Sequence, residues 1–549
     1  MNPTVRLVIF FTLSFYFADA QRLNKADRTI QSNLKAHISY LADDKLEGRR
    51  AGTKGEQLAS QYISNQFAKA GLQPKGDNNS WLQTFDIYDG KQVNPPTHFI
   101  INDNDLKLGT DYFPLSYSAN KSTEAAVSLA LPERGVPWFF DVKDLLEDNK
   151  DNPHFDLNDE LRNKAQQSAT KGATAVIFYN SSDIADELSF NGKEHLEPVS
   201  IPVLYISKDT RKKFFSDESA MVDLKLKVDI GDKMRQGHNV IGFIDNNAPT
   251  TIVLGAHYDH LGYGEDGNSM VRNERAIHNG ADDNASGTAA LIELARLLKQ
   301  SKAKKNNYLF VAFSAEELGL NGSKFFVEHS AIDTSSINYM INMDMVGRLN
   351  DSSKALTVGG YGTSPQWASL IGSAKDSRYF ALKFDSSGTG PSDHTSFYRK
   401  NIPVLFFFTG LHSDYHRPSD DFDKINYTGE VKVVRLVQEV VEKSGSNGKL
   451  AFTKTREVQM GGNHRFSVTL GIMPDYTYNG AGVRVDGVSS GKAAEKAGMK
   501  AGDIIVELGS FKTTSLETYM KALSEFKKGD KTNVKFKRGT ETLEAAVQF

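Results

Sequence analysis

The sequence predicts an α/β protein: a mostly parallel, mixed sheet with helices on both faces, joined by an inserted module and a β-rich C-terminal module. Three observations predict it. First, short apolar runs (TIVLGA, YLFVAFSA, INMDMVG, VLFFF) alternate with amphipathic stretches such as SGTAALIELARLLKQ and GEVKVVRLVQEVVEK. Strand–helix alternation of this kind builds a parallel sheet covered on both faces. Second, acidic residues or histidine follow these runs, as expected of a site at the carboxyl edge of such a sheet. Third, the texture changes over residues 102–237 and again after 445, where SGSNGK reads as a polar linker.

Residues 1–20 stand apart from the fold. Arg6, an apolar stretch over 7–17 and the small-x-small end Ala18-Asp19-Ala20 read as a cleaved secretory signal, which places the mature chain in a periplasm or outside the cell. The stretch is short for a membrane span, so no integral membrane segment is expected after cleavage. The N-terminal part of the main domain, 21–101, opens with two helical patterns, IQSNLKAHISYLADD and QLASQYISNQFAKAGL, the second stopped at Gly71. Between them lies the Gly-rich, basic segment LEGRRAGTKGE, and strand-like residues follow near 81–88 and 98–101. The inserted module, 102–237, has a helix (NDELRNKAQQSATKGA) leading to TAVIFYN and IPVLYIS. The catalytic-type pattern fills 238–445, a linker 446–455, and a separate set of strands and turns 456–549.

Composition narrows the chemistry. The 549 residues imply several domains, and 39% hydrophobic with 24% charged residues is ordinary for a soluble globular protein. A formal charge of -3 gives no nucleic-acid surface. The absence of cysteine excludes disulfides, thiolate metal sites and a cysteine nucleophile, so any metal must be held by oxygen and nitrogen.

The candidate site is His257-Tyr-Asp259, Asp282-Asp283, Glu316-Glu317, Asp344 and His416. Each has a bland alternative. His257 alone would be a hydrogen-bonded core histidine, Asp282-Asp283 a helix cap, Glu316-Glu317 an acidic first turn, and His416 a surface residue. His260, His278, His394 and His412 compete as histidine ligands. Gathered at one sheet edge, however, these carboxylates repel one another and require cations, and the number of ligands argues for two.

In order along the chain, GAHYDH, NGADDNASGTAALIELAR, FVAFSAEELGLNGS, INMDMVG, PSDHTSFY and DYHRPSDD resemble the M28 family of co-catalytic zinc peptidases, over about 239–426. The resemblance implies the zinc exopeptidase fold and two Zn²⁺ per chain, other divalent ions not being excluded. It puts His257 and Asp344 on one ion, Glu317 and His416 on the other, and Asp282 between them. It implies Glu316 as general acid/base, Asp259 as the residue orienting His257, a cis bond at Asp282–Asp283, and Tyr415 beside the tetrahedral intermediate. This chain has Pro391 where some aminopeptidases have a tyrosine before Ser-Asp-His. Residues 164–207 resemble a protease-associated domain. The C-terminal segment resembles a PDZ domain, with Leu470, Gly471 and Ile472 as its carboxylate-binding loop, open to a peptide or protein C-terminus.

The expected activity is an exported two-zinc aminopeptidase acting on peptides. A glutamate-carboxypeptidase-type enzyme is the alternative, with Arg272, Arg275 or Arg348 holding a substrate carboxylate. A one-metal glutaminyl cyclase fits less well, because the full ligand set is present. A binding protein of transferrin-receptor type is the alternative from another class; intact Glu316 and the ligand set argue against it.

Overall fold

The computed structural model describes residues 23–549 apart from 151, 153–154, 194–197, 272–274, 373–378, 456–467, 475–480, 489–491 and 515. The signal-like residues 1–20 and Arg272 lie outside the described residues. The chain divides into two compact units, Met1–Gln83 with Asn239–Val458, and Thr84–His238 with Gln459–Phe549.

The first unit is built on a nine-stranded sheet. Its main path runs Gln73–Pro74, Ile230–Ile244, Asn307–Phe313, Thr251–His257, Ile337–Met343, Val404–Phe408, Ala355–Gly359, Ala381–Phe384. The four central strands are mutually parallel, with antiparallel pairings on either side, so the sheet is mixed and mostly parallel. Thr251–His257 is buried at every position, as a strand covered on both faces must be. Alternate residues of Asn307–Phe313 enter two different cores. Tyr308, Phe310 and Ala312 pack under the long helices, while Leu309, Val311 and Phe313 face the opposite layer. The long helices are Lys25–Leu41, Lys54–Lys69, Gly287–Gln300 and Tyr427–Ser444; Asn321–Glu328 and His394–Tyr398 cover the other side. Burying each large apolar side chain contributes roughly 1.5–3 kcal/mol, so this two-sided core fixes the strand ends that carry the site.

Two boundaries differ from the sequence-based expectation. His98–Ile101 pairs with Val222–Lys227 and belongs to the insert, whose unit begins at Thr84 rather than 102. Residues 446–455 are not a free linker. Leu450 is buried in the core, its N–H bonds Asn338, and Thr453 and Thr455 bond Thr363 and Tyr398.

The insert contains two four-stranded sheets, one around Val222–Lys227 and one around Val176–Tyr179 with Val203–Ile206. Leu224 and Leu226 of the first share an apolar core with Ile177 and Leu204 of the second, whose other face, with Val176 and Phe178, packs in a further core. The C-terminal segment forms a six-stranded sheet with the helix Leu516–Ser524 and a separate core that includes Leu470, Val485, Ile505 and Phe536.

Candidate metal centre

Parallel strands end at the same edge, and here four of them deliver the candidate residues together. His257 ends its strand beside Phe313, and Phe313 leads into Ser314–Glu317. Met343 leads into Asp344 and lies beside Phe407, whose strand leads toward His412 and His416. Asp283 comes from the entrance of the helix Gly287–Gln300.

The geometry is organised around Asp283. Its Oδ1 lies 3.3 Å from His257 Nε2, and its Oδ2 lies 3.2 Å from His416 Nε2. His257 Nε2 is also 3.3 Å from Asp344 Oδ1, and His416 Nε2 is 3.3 Å from Glu317 Oε2. Atoms bound about 2.0–2.1 Å from a tetrahedral zinc stand about 3.3–3.4 Å apart. All four separations match that edge, so Asp283 faces two cation-sized positions. Each imidazole has the tautomer a ligand needs, because its Nδ1 is taken by a backbone carbonyl. His257 Nδ1 is 3.2 Å from Asp259 O, and His416 Nδ1 is 2.8 Å from Asn268 O. Asp344 is held on its other oxygen by Ser392 Oγ at 2.7 Å.

Asp282, the expected bridge, points away. Its Oδ1 accepts from Gly347 N at 2.7 Å and Ser286 Oγ at 3.0 Å, and its Oδ2 lies 3.2 Å from His412 Nε2. It ties the helix entrance to the loops after two strands. Asp283 is the carboxylate that faces both histidines, and the cis peptide bond is Asp283–Asn284, not Asp282–Asp283. His260 also belongs to the cluster, grouped with Asp283 and Glu317. Its Nδ1 is 2.8 Å from Glu317 Oε1 but 3.9 Å from Asp283 Oδ2, which is a hydrogen bond to one carboxylate rather than a shared corner. His278 and His394 face elsewhere, bonded to Ser269 and stacked on Phe406 respectively.

Electrostatics divide the two glutamates. Burial pushes Glu316 well above the usual carboxylate range; the charges of Asp344, Glu317 and Asp393 add to this, and His257 opposes it. Burial would also raise Glu317, but His416 and the hydrogen bonds from His260 and His416 bring it down to about 2. Adjacent carboxylates held so far apart suit two roles, one a proton carrier and one a permanent anion. His257 and His416 are both raised well above the ordinary value despite burial, by Asp344 with Glu316 and by Glu317 with Asp283. The protons they attract mark where the cluster lacks positive charge. Asp259 lies 3.7 Å from His257 Nδ1 and accepts the Glu316 N–H at 3.1 Å, so it connects the histidine to the proton carrier. Tyr415 stacks on His416 with ring centres 3.9 Å apart.

Several supporting residues escaped the sequence reading. Asp420 Oδ2 accepts the N–H groups of both Asp282 and Asp283, at 2.9 and 3.1 Å. Burial and the Asp282 charge lift it to about 6, with His412 opposing. Its position at the end of HRPSDD was the available signal. Arg49 lies fully buried among backbone carbonyls near His257 and Asp283. Of the arginines considered for a substrate carboxylate, Arg348 bonds Asp414 at 3.1 Å and Arg275 lies over the Tyr263 ring. In the C-terminal segment, Leu470 O accepts from Ala494 N, Gly471 has φ +80°, and Ile472 begins the edge strand Ile472–Pro474.

Residues 239–441 match the model of peptidase family M28, and residues 458–549 match that of a PDZ domain. Among similar proteins, aminopeptidase YwaD of Bacillus subtilis is 26% identical over 428 residues, covering 74% of this chain and 84% of the relative. An aminopeptidase of Pseudomonas aeruginosa is 29% identical over 399 residues, covering 66% and 67%. A solved zinc aminopeptidase from Bacillus subtilis, BSAP, aligns with a TM-score of 0.42 at 22% identity, over 77% of this chain and 95% of its own.

Proposed function

Because residues 239–441 match the model of peptidase family M28, we propose that the chain is a two-zinc aminopeptidase that removes residues from the amino end of peptides. The observation that carries the metal reading is the set of four 3.2–3.3 Å separations from His257 Nε2 and His416 Nε2 to Asp283, Asp344 and Glu317. His257, Asp283 and Asp344 would hold one Zn²⁺, and Asp283, Glu317 and His416 the other. Bound there, the ions would supply Lewis acidity toward the scissile carbonyl and a water of lowered pKa.

The remaining work falls to the chain. Glu316, whose Oε2 is 3.9 Å from His257 Nε2, takes the proton from the attacking water and returns it to the leaving amine. Its raised affinity for a proton suits the second step. Asp259 keeps His257 in the ligating tautomer and restrains the Glu316 backbone through the N–H it accepts. Tyr415, stacked on His416, would stand beside the tetrahedral intermediate. The surplus of carboxylates favours a substrate that brings a positive amino end, and relatives named aminopeptidases support the same choice. Arg348 is already ion-paired with Asp414, which disfavours the carboxypeptidase alternative.

Export is also proposed, on the signal-like residues 1–20. Among the described residues no helix is long and apolar enough to cross a membrane. The PDZ domain is proposed to take a peptide C-terminus at Leu470, Gly471 and Ile472.

The test is a panel of free, amino-blocked and carboxyl-blocked peptides, given to protein whose metal content has been measured. Release from the amino end by protein holding two zinc ions per chain is expected. Release from the carboxyl end, or two bound ions with no hydrolysis, would replace the aminopeptidase reading with one of its alternatives.

A further inference from the structure

The segment LEGRRAGTKGE, residues 46–56, contributes nothing to the proposed ligand set, yet it bonds the chain beside His257, before Asp283 and before Glu317. Arg49 is completely buried and donates only to backbone carbonyls. Its Nε bonds Tyr258 O at 2.7 Å, and its terminal nitrogens bond Leu41 O, Asn279 O and Gly280 O at 2.5, 2.6 and 3.0 Å. Tyr258 separates His257 from Asp259, and Gly280 stands three residues before Asp283. One guanidinium therefore ties the chain just after His257 to the chain just before Asp283. At the far end of the segment, Glu56 Oε1 accepts from Tyr258 OH at 2.9 Å and Ser314 Oγ at 2.8 Å. That joins the His257 loop to the one bearing Glu316 and Glu317. Gly48 has φ +68°, and a Cβ there would stand 2.6 Å from His278 O and 2.7 Å from Gly262 O. Only glycine lets the segment lie this close beneath the site.

Arg50 reaches the other way. Its Nε and a terminal nitrogen form a bidentate pair with the two oxygens of Asp266, both at 2.7 Å. Two residues on, Asn268 O accepts from His416 Nδ1, and Met270 N bonds His416 O at 2.9 Å. The Arg50–Asp266 pair thus pins the loop whose carbonyl sets the tautomer and direction of His416.

We infer that Arg49 and Arg50 are positioning residues that divide the centre, Arg49 serving the His257–Asp344 position and Arg50 the Glu317–His416 position. The inference rests on the proposed metal centre and adds to it the prediction that the two zinc ions are weakened separately. Residues behind metal ligands typically govern 10–100-fold in metal affinity.

Arg49 is buried deeply enough that its variants could fail to fold, so the deciding variants are at the partly exposed Arg50–Asp266 pair. Zinc affinities are measured by competition with a chromogenic chelator, alongside the melting temperature of the zinc-free chain. Arg50→Ala and Asp266→Ala are each expected to weaken one of the two ions by about 10–100-fold and leave the other unchanged. The double variant should be no weaker than either single one, because both remove the same contact. Arg50→Lys should fall between, since lysine cannot form the bidentate pair. The reciprocal variant Arg50→Asp with Asp266→Arg should recover affinity. Single variants that bind both ions as the wild type does would overturn the inference. So would equal weakening of both ions with a lowered melting temperature, which is the mark of a general structural role. A wild-type chain that binds fewer than two ions would overturn the metal centre itself, and this inference with it.

Discussion

Asp283→Asn leaves side-chain volume nearly unchanged but removes the carboxylate that faces both His257 and His416. The expected result is loss of at least one zinc ion per chain by elemental analysis. Asp282→Asn should keep both ions, because that side chain bonds Gly347, Ser286 and His412 instead. The opposite pattern would restore Asp282 as the bridge. Glu316→Gln should retain two ions and lose about 10²–10⁴-fold in kcat, the usual contribution of a positioned acid/base. Loss of metal in that variant would make Glu316 a ligand. That His257, Glu317, Asp344 and His416 gather at one sheet edge was legible from the sequence, because each follows an apolar run that forms a parallel strand. The choice between Asp282 and Asp283 was not legible. It depends on the backbone direction at one helix entrance, which is set by nearby Ser286 and by Gly347 and Asp420 from distant parts of the chain. Arg49 was invisible for a similar reason, since a basic residue in a Gly-rich loop ordinarily reads as solvent-exposed.

At the scale of elements, Gly287–Gln300 and Lys25–Leu41 meet through a charge as well as through apolar packing. Glu293 accepts from Asn33 at 2.9 Å and from Arg296 at 2.8 Å, with His37 3.9 Å away. Burial would raise this carboxylate, but these partners hold it below its ordinary 4.5. A folded-state pKa below the unfolded one stabilises the fold above pH 4.5, and that contribution disappears as pH falls through the folded value. Glu293→Gln should therefore cost about 1–3 kcal/mol at pH 7 and progressively less in acid. Melting temperatures of the two proteins across that range would show it, and a constant difference at all pH values would contradict the charge's role. The helices themselves were readable from apolar spacing. This contact between them was not, because periodicity shows which face is buried but not what it meets.

At the scale of the molecule, the C-terminal domain has its own core and holds none of the proposed metal ligands. A chain ending after Thr455 should bind two zinc ions and cleave dipeptide-sized substrates as the full protein does. Complete loss of that activity in a folded truncation would mean that the PDZ domain helps build the active site. A chain ending at Ser446 should be less stable, because it gives up buried Leu450, worth roughly 1.5–3 kcal/mol, and the hydrogen bonds around it. The parallel sheet and the extra modules were legible as changes of texture. The packed role of 446–455 was hidden because a polar composition does not show that one leucine in it finds a pocket. The His98–Ile101 strand was misplaced because pairing across more than a hundred residues leaves no local trace.

The edge strand Ile472–Pro474 pairs with Val483–Val488 on one side and, among the described residues, with no strand on the other. An unpaired edge recruits any extended chain, including another copy of the same protein. Proline has no N–H to give, so Pro474 interrupts the row of donors along this edge. At that position neither a guest nor a second copy of the edge finds a donor, so the ladder between two copies loses a rung. Pro474→Val would lengthen that ladder. Sedimentation at rising concentration should then reveal self-association where the parent chain shows none, and equal behaviour of the two would mean that the proline is not what guards the edge.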